Sequence, residues 1–362
     1  MIPISVCIIG KNEEKNIERC LAPLTSYDFE IIYVDTGSTD RTKELAAKYT
    51  DKIYDFEWIG DFSAARNFSL GKASHNYVLV IDCDEFLTEI DLDGIERAIS
   101  EHPRGIGLVL RINQCESNGK IASSPDRVER LFHKRYYHYA YTIHEQVCDI
   151  NTNSTYCERY DIPLTLDHVG YIGTEEEKRL KAERNNELLF KEIEKHPDDP
   201  YFYFQVAQSY NLIDDYENAY IYYKKAFEFP LCKDELWVQF MAITFINTMT
   251  HTGRSDEALA FFEPIYDDFA TSSDFYCNMG NIYLNLREPQ PLKAMMEYVK
   301  ATQCPAVQEE GANTFVPYYN MGVINEMLGN VPAALNFYQK SAAYDYPLAV
   351  ERLSALREYL PQ

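Results

Sequence analysis

Over roughly the first 100 residues the apolar positions switch repeatedly between two periods. "ISVCIIG" is an apolar run that predicts a strand buried on both faces. "EEKNIERCLAPL" sets Ile17, Cys20, Leu21 and Leu24 on one side of a helix. "EIIYVD" predicts a second strand, and "TDRTKELAAKY" a helix opened by Thr39 or Asp40 as N-cap. A short strand "KIYDFEW", a helix "DFSAARNFSLGKA" and a strand "YVLVID" follow. Strand and helix in alternation predict an α/β domain with a mainly parallel sheet covered on both faces. Ligands of such sheets sit beyond the carboxyl ends of the strands. Asn12, Asp35 and Asp82 all fall there, each after a different strand.

From Gly105 to about Tyr141 the pattern becomes alternating and aromatic, as in "GIGLVLRIN" and "VERLFHKRYYHYAY". A charged helix is predicted from Glu175 to His196. "HPDDP" reads as a linker and sets the expected domains at 1–196 and 197–362. Beyond it the chain repeats. Tyr203, Val206, Ala207, Tyr210, Ala219, Tyr223 and Ala226 follow the large-and-small spacing of a tetratricopeptide repeat. Met279, Gly280 and Tyr283, then Met321, Gly322, Ala334 and Tyr338, fill the same slots, and Trp237 opens a looser copy. About four repeats are expected, with "PLAVERLSALREYL" as a polar end cap. Tyr203, Tyr210 and Tyr223 should be core, while Tyr201, Tyr216, Tyr220 and Tyr222 should line a groove for an extended peptide.

Composition narrows the function. The 362 residues carry a formal net charge of -23, which argues against a nucleic-acid surface or an anionic-membrane patch. The cysteines stand singly with no CxxC pair, as in a reduced, cytoplasmic chain rather than a disulfide framework or zinc site. "MIPISVCIIG" has no basic start and reads as a buried strand, not a signal peptide. No window approaches the ~20 apolar residues of a membrane span.

"VLVIDCDEF" ends a buried strand by crowding Asp82, Asp84 and Glu85 together. Like charges that close repel, so a cation is expected between them. Hard divalent ions, Mn2+ or Mg2+, take oxygen ligands beside a phosphate. "CIIGKNEEKNIERCL", "IIYVDTGSTDRT" and "FSAARNFSL" stand before it in order. In these motifs and their spacing the chain resembles the family 2 glycosyltransferases of GT-A fold. The likeness runs more loosely through "RLFHKR", "IHEQV" and "DHVGY" to "KRLKAERN". With the repeats behind it, the chain resembles bacterial family 2 enzymes fused to tetratricopeptide repeats. Some of those glycosylate proteins or peptides, and the sublancin-type S-glycosyltransferases lie in this neighbourhood.

The resemblance implies a Rossmann-like GT-A domain followed by an all-α repeat domain. It implies that Asn12 and Glu13 hold the nucleotide and that Asp35 accepts hydrogen bonds from a uracil ring or ribose hydroxyl. Many relatives read VDDGS, where this chain has Thr36 at the second Asp. Arg66 and Asn67 are expected near the nucleotide, with Arg66 neutralising a phosphate. Asp82 is expected to face the ribose or donor sugar and, with Asp84 and His168, to hold the metal. Glu145 in "IHEQV" is the expected base, taking a proton from the attacking nucleophile. His144 beside it would orient it or serve instead, although neighbours in a β-stretch point to opposite faces. Lys181 and Arg184 share a helix face and would grip the departing diphosphate.

The expected activity is metal-dependent, inverting transfer of a hexose or N-acetylhexosamine. The donor would be a nucleotide sugar, UDP-glucose or UDP-N-acetylglucosamine. The acceptor would be a hydroxyl of a protein or peptide, with a Cys thiol as the alternative nucleophile. The repeats would recruit that acceptor or join two subunits as a homodimer. Three other readings fit parts of the sequence. One is an enzyme of the same fold that builds surface polysaccharide or lipopolysaccharide. A second is a nucleotidyltransferase, but "GKNEEKN" is too acidic for its Gly-rich basic loop. The third is a repeat scaffold with a degenerate catalytic domain, against which intact Asp82, Asp84 and Glu145 count.

Overall fold

A computed structural model of the chain describes residues 2–117, 120–170, 174–233, 235–305, 307 and 309–357. The chain divides into two compact units, Met1–Lys195 and His196–Gln362. The strands of the first unit are β1 (Ile4–Gly10), β2 (Glu30–Asp35), β3 (Ile53–Asp55), β4 (Tyr77–Val80), β5 (Glu85–Ile90), β6 (Ile106–Ser117), β7 (Lys120–His133), β8 (Tyr137–Ala140), β9 (Gln146–Asp149) and β10 (Arg159–His168). Its helices are α1 (Ile17–Leu24), α2 (Thr42–Ala46), α3 (Phe62–Lys72), α4 (Leu92–Glu101) and α5 (Glu175–Lys195).

Eight strands form one sheet in the order β3-β2-β1-β4-β7-β6-β10-β5, and β8 and β9 form a separate pair. β1 runs parallel to β2 and β4, β2 to β3, and β10 to β6, whereas β7 and β5 are antiparallel to their neighbours. The apolar runs are continuous because both faces are covered. Ile8, Tyr33 and Leu79 pack with Ile17 and Leu21 of α1 on one side. Cys7, Val34, Val78 and Val80 pack with Ala65 and Leu70 of α3 on the other. β1 lies between β2 and β4, so the chain leaves their carboxyl ends in diverging directions and opens a crevice there. The N-cap of α2 is Arg41, not the expected Thr39 or Asp40, although Asp40 accepts from the Thr42 N–H at 3.0 Å; Asp61 caps α3 through the Ala64 N–H at 2.8 Å.

The second unit stacks paired helices. α6 (Pro200–Asn211) packs on α7 (Tyr216–Ala226), and α8 (Leu236–His251) on α9 (Ser255–Phe262). After a short α10 (Tyr266–Phe269), α11 (Ser273–Leu284) packs on α12 (Pro291–Gln303), and α13 (Phe315–Met327) on α14 (Val331–Ala342). The expected end cap is α15 (Pro347–Arg357), packed on α14; its residues 358–360 lie outside the described residues. Asp199 caps α6 through the Tyr201 N–H at 3.0 Å, so "HPDDP" is also a helix start. Tyr203 and Tyr223 are buried as expected, and Tyr210 is half-buried, stacked on Tyr222. Tyr201, Tyr216 and Tyr220 are not free on a groove. They are half-buried and pack against Trp237, His251 and Phe245.

The small slots have a physical cause. A Cβ at Gly280 would lie 2.7 Å from the Tyr298 ring, and one at Gly322 2.6 Å from the Tyr338 ring. Each glycine lets a tyrosine of the partner helix lie against the backbone. Gly322→Val is expected to destabilise the second unit by about 1–3 kcal/mol through overpacking. Its thermal transition, followed by far-UV circular dichroism, should move to lower temperature. Among the described residues no helix is long and apolar enough to cross a membrane. Cys7, Cys20, Cys83, Cys148 and Cys277 are buried free thiols.

Candidate active site

β4 ends at Val80 and β5 begins at Glu85, so Asp82 and Asp84 lie in the turn between the two strands and Glu85 opens the second. Ile81, Cys83 and Phe86 point into the core, and Asp82 and Asp84 keep 29% and 28% of their side chains exposed. The Glu85 N–H donates to the Asp82 carbonyl at 3.0 Å, and the Asp82 N–H to Glu85 Oε2 at 3.1 Å.

Arginines meet most of this cluster. Arg66 Nη2 donates to Asp82 Oδ1 at 2.7 Å, and Arg130 Nη2 to Asp82 Oδ2 at 2.8 Å. Arg130 also pairs with the fully buried Glu85, which Arg111 reaches at 3.3 Å. Arg111 grips Asp126 through two arms, at 3.0 and 2.6 Å. At the other end Arg66 Nε donates to Glu145 Oε1 at 2.5 Å. Burial alone would raise the Asp82 pKa, but Arg66 and Arg130 overcome it and hold the carboxyl well below the usual range.

Three expectations change as a result. Asp82 has both oxygens committed to arginines and does not fit as a metal ligand. Arg66 is buried with two arms on carboxylates, so it does not present them to a phosphate. Asn67 spends its amide on the backbone of Tyr139, donating to its carbonyl at 2.8 Å and accepting from its N–H at 2.9 Å, which docks α3 on β8. Arg111 and Arg130 escaped the sequence reading. Their signal was a cation inside the otherwise apolar runs "LVLRIN" and "RLF", where a charge is seldom buried without a partner.

Asp84 keeps different company. The Val169 N–H donates to its carbonyl at 3.1 Å and draws the end of β10 alongside. His168 Nε2 lies 3.5 Å from Asp84 Oδ2. Asn113 Oδ1 sits 2.7 Å from His168 Nδ1, so a neutral ring that donates there carries its lone pair on the nitrogen facing Asp84. A Cβ at Gly170 would collide with both His168 Nε2 and Asp84 Oδ2, so glycine keeps that space open. Glu13 adds negative charge nearby: burial, then Asp84 and Asp40, push its carboxyl above the ordinary range. Among the described residues no group of three or more His, Cys, Asp or Glu could hold a metal unaided. A carboxylate and an imidazole do fit an Mg2+- or Mn2+-type ion that takes its other ligands from phosphate and water.

At the ends of β1 and β2, Asn12 adopts φ 58 and its Oδ1 accepts from the Thr39 N–H at 2.8 Å, joining the two loops. Asp35 is buried, and its Oδ2 accepts from the N–H groups of Gly37 and Ser38 at 3.1 and 2.9 Å. Thr36 turns back to the Gly10 carbonyl at 3.1 Å and acts as a clamp between strand ends.

His144 and Glu145 lie in the bend at 141–145, not in a β-stretch, so the opposite-face rule does not separate them. His144 adopts φ 50. Burial lowers its pKa; Glu145 opposes this and Lys181 reinforces it, leaving a neutral ring at pH 7. Lys181 reaches the Gly170 carbonyl at 3.4 Å, beside the Asp84–His168 pair. Arg184 is exposed and bonds its neighbour Asn185 at 3.3 Å.

Residues 5–157 match the profile of glycosyl transferase family 2, and residues 200–229 that of a tetratricopeptide repeat. A TPR repeat-containing protein of Synechococcus elongatus is 29% identical over 224 residues, 56% of this chain and 50% of that protein. The SPbeta prophage-derived glycosyltransferase SunS of Bacillus subtilis is 28% identical over 228 residues, 62% of this chain and 53% of SunS. The chain spans about half the length of these curated relatives. Among solved structures, S. aureus TarS 1–349 aligns with a TM-score of 0.35 at 13% identity, over 95% of this chain and 92% of that one. The motifs and the parallel strand ends agree with these matches: within the first unit residues 5–157 are similar to glycosyl transferase family 2, and residues 200–229 of the second to a tetratricopeptide repeat.

Proposed function

We propose that this chain transfers a hexose or N-acetylhexosamine from a UDP-sugar, with inversion, to a side chain of a protein or peptide. The observation that carries this reading is the facing pair Asp84 and His168 at the strand ends of a family 2 glycosyltransferase domain. These two residues would hold a divalent cation, Mn2+ or Mg2+, which supplies charge neutralisation of the diphosphate. Asn12, Glu13 and Asp35 border the nucleotide, and Asp82 borders the donor sugar. The acceptor oxygen bonds to the anomeric carbon from the face opposite the diphosphate, and its proton passes to Glu145. The bond between the anomeric carbon and the phosphate oxygen breaks, and its electron pair leaves on the diphosphate. Lys181 and Arg184 meet that charge. The tetratricopeptide match supports a protein acceptor held by the second unit.

A thermal-shift panel of UDP-glucose and UDP-N-acetylglucosamine, with and without manganese, tests the donor. A ligand at 100 times its Kd stabilises the folded state by about 2.7 kcal/mol. The melting temperature should rise with at least one UDP-sugar when manganese is present, and less without it. No shift with either sugar at saturating manganese would overturn the donor assignment.

A further inference from the structure

Arg66 touches both halves of the proposed reaction. Its Nε holds Glu145, the proton acceptor, and its Nη2 holds Asp82, which borders the donor. One rigid guanidinium therefore sets the separation of the two carboxylates. The side chain is only 7% exposed, and the Tyr139 ring lies 5.3 Å from its Cζ. α3 cannot slide, since Asn67 ties it to β8 through both amide atoms. The loop bearing Glu145 is pinned too. The Phe62 N–H donates to the Thr142 carbonyl at 2.8 Å, Thr142 Oγ1 donates to Glu192 of α5 at 2.8 Å, and Ile143 is buried.

Stability alone does not account for this arrangement. Arg66 Nη1 is buried with no acceptor among the described residues, and an unpaired buried N–H costs stability. Buried ion pairs are weak evidence for stability in general. Departures from the most stable arrangement concentrate at functional sites.

We infer that Arg66 is a positioning residue that couples the donor side of the site to the acceptor side through Asp82 and Glu145. Glu145 is aimed at the nucleophile by the same guanidinium that Asp82 anchors, so the state of the donor at Asp82 is passed to the base. This rests on the transferase reading and on Glu145 as its proton acceptor. The charged and titratable groups facing Glu145 are Arg66 on α3, Tyr139 on β8 and His144 in its own loop.

The test is a double-variant cycle on the full chain, reading UDP release from UDP-glucose and UDP-N-acetylglucosamine with saturating manganese and water as acceptor. R66K keeps the charge and loses the fork. It should lower kcat about 10-fold or more alone, with little change in donor KM, but less than about 2-fold in the E145Q background. Equal losses in both backgrounds, or a loss that appears in donor KM rather than in kcat, would overturn the coupling and leave the transferase reading standing. A fully active E145Q would also overturn it. No turnover of either sugar by the unaltered chain would overturn the transferase reading itself. If R66K fails to fold by circular dichroism, D82N crossed with E145Q carries the same cycle and the same criterion.

Discussion

Replacing Glu145 with glutamine is expected to leave UDP-sugar binding in place and to cut turnover about 10²–10⁴-fold, the usual worth of a positioned base. The amide oxygen still accepts from Arg66 Nε, so the side chain keeps its place. Arg66 stays neutralised by Asp82, so no buried cation is left unpaired. What is lost is the capacity to take a proton. The check is kcat for UDP release beside the thermal shift with donor. If binding falls and the rate at saturation does not, Glu145 is a binding residue. His144, with a neutral ring one residue away, then becomes the proton acceptor to test.

Asp84→Ala is expected to remove metal-dependent turnover, about 10²-fold or more, while the protein remains folded. The side chain is partly exposed in a turn, and the contact that closes the turn onto β10 uses the Asp84 backbone carbonyl, which alanine retains. His168 would be left as the sole ligand of the pair, too few for a hard cation. The variant should melt at the parental temperature without ligands and lose the manganese-dependent part of the donor shift. Unchanged turnover at saturating manganese would sink the metal assignment. The same change at Asp82 should act differently, because removing its carboxylate strips partners from two buried arginines and costs stability as well as activity.

Local pattern was enough for the order and type of the elements around the site. "EIIYVD" became β2 and "ISVCIIG" became β1, because a strand buried on both faces must be apolar at every position. Gly280, Gly322 and Tyr338 were legible as repeat slots, but Tyr298, the tyrosine of the partner helix that lies over Gly280, was not. Pattern also placed Asn12, Asp35 and Asp82 at the ends of three different strands, which the sheet order then made neighbours. Which charges meet there was settled by the fold. Arg130 reaches Asp82 across 48 positions of chain, because β7 runs antiparallel beside β4. Arg111 reaches Glu85 across 26. Asn113 and His168 meet only because β10 lies against β6 in one register. Periodicity is a property of a few consecutive residues, whereas pairing depends on sheet order and register between distant strands. That is why three crowded carboxylates announced a cation in the sequence, while the groups that meet them, arginines at Asp82 and Glu85 and an imidazole beside Asp84, became visible only with the chain folded.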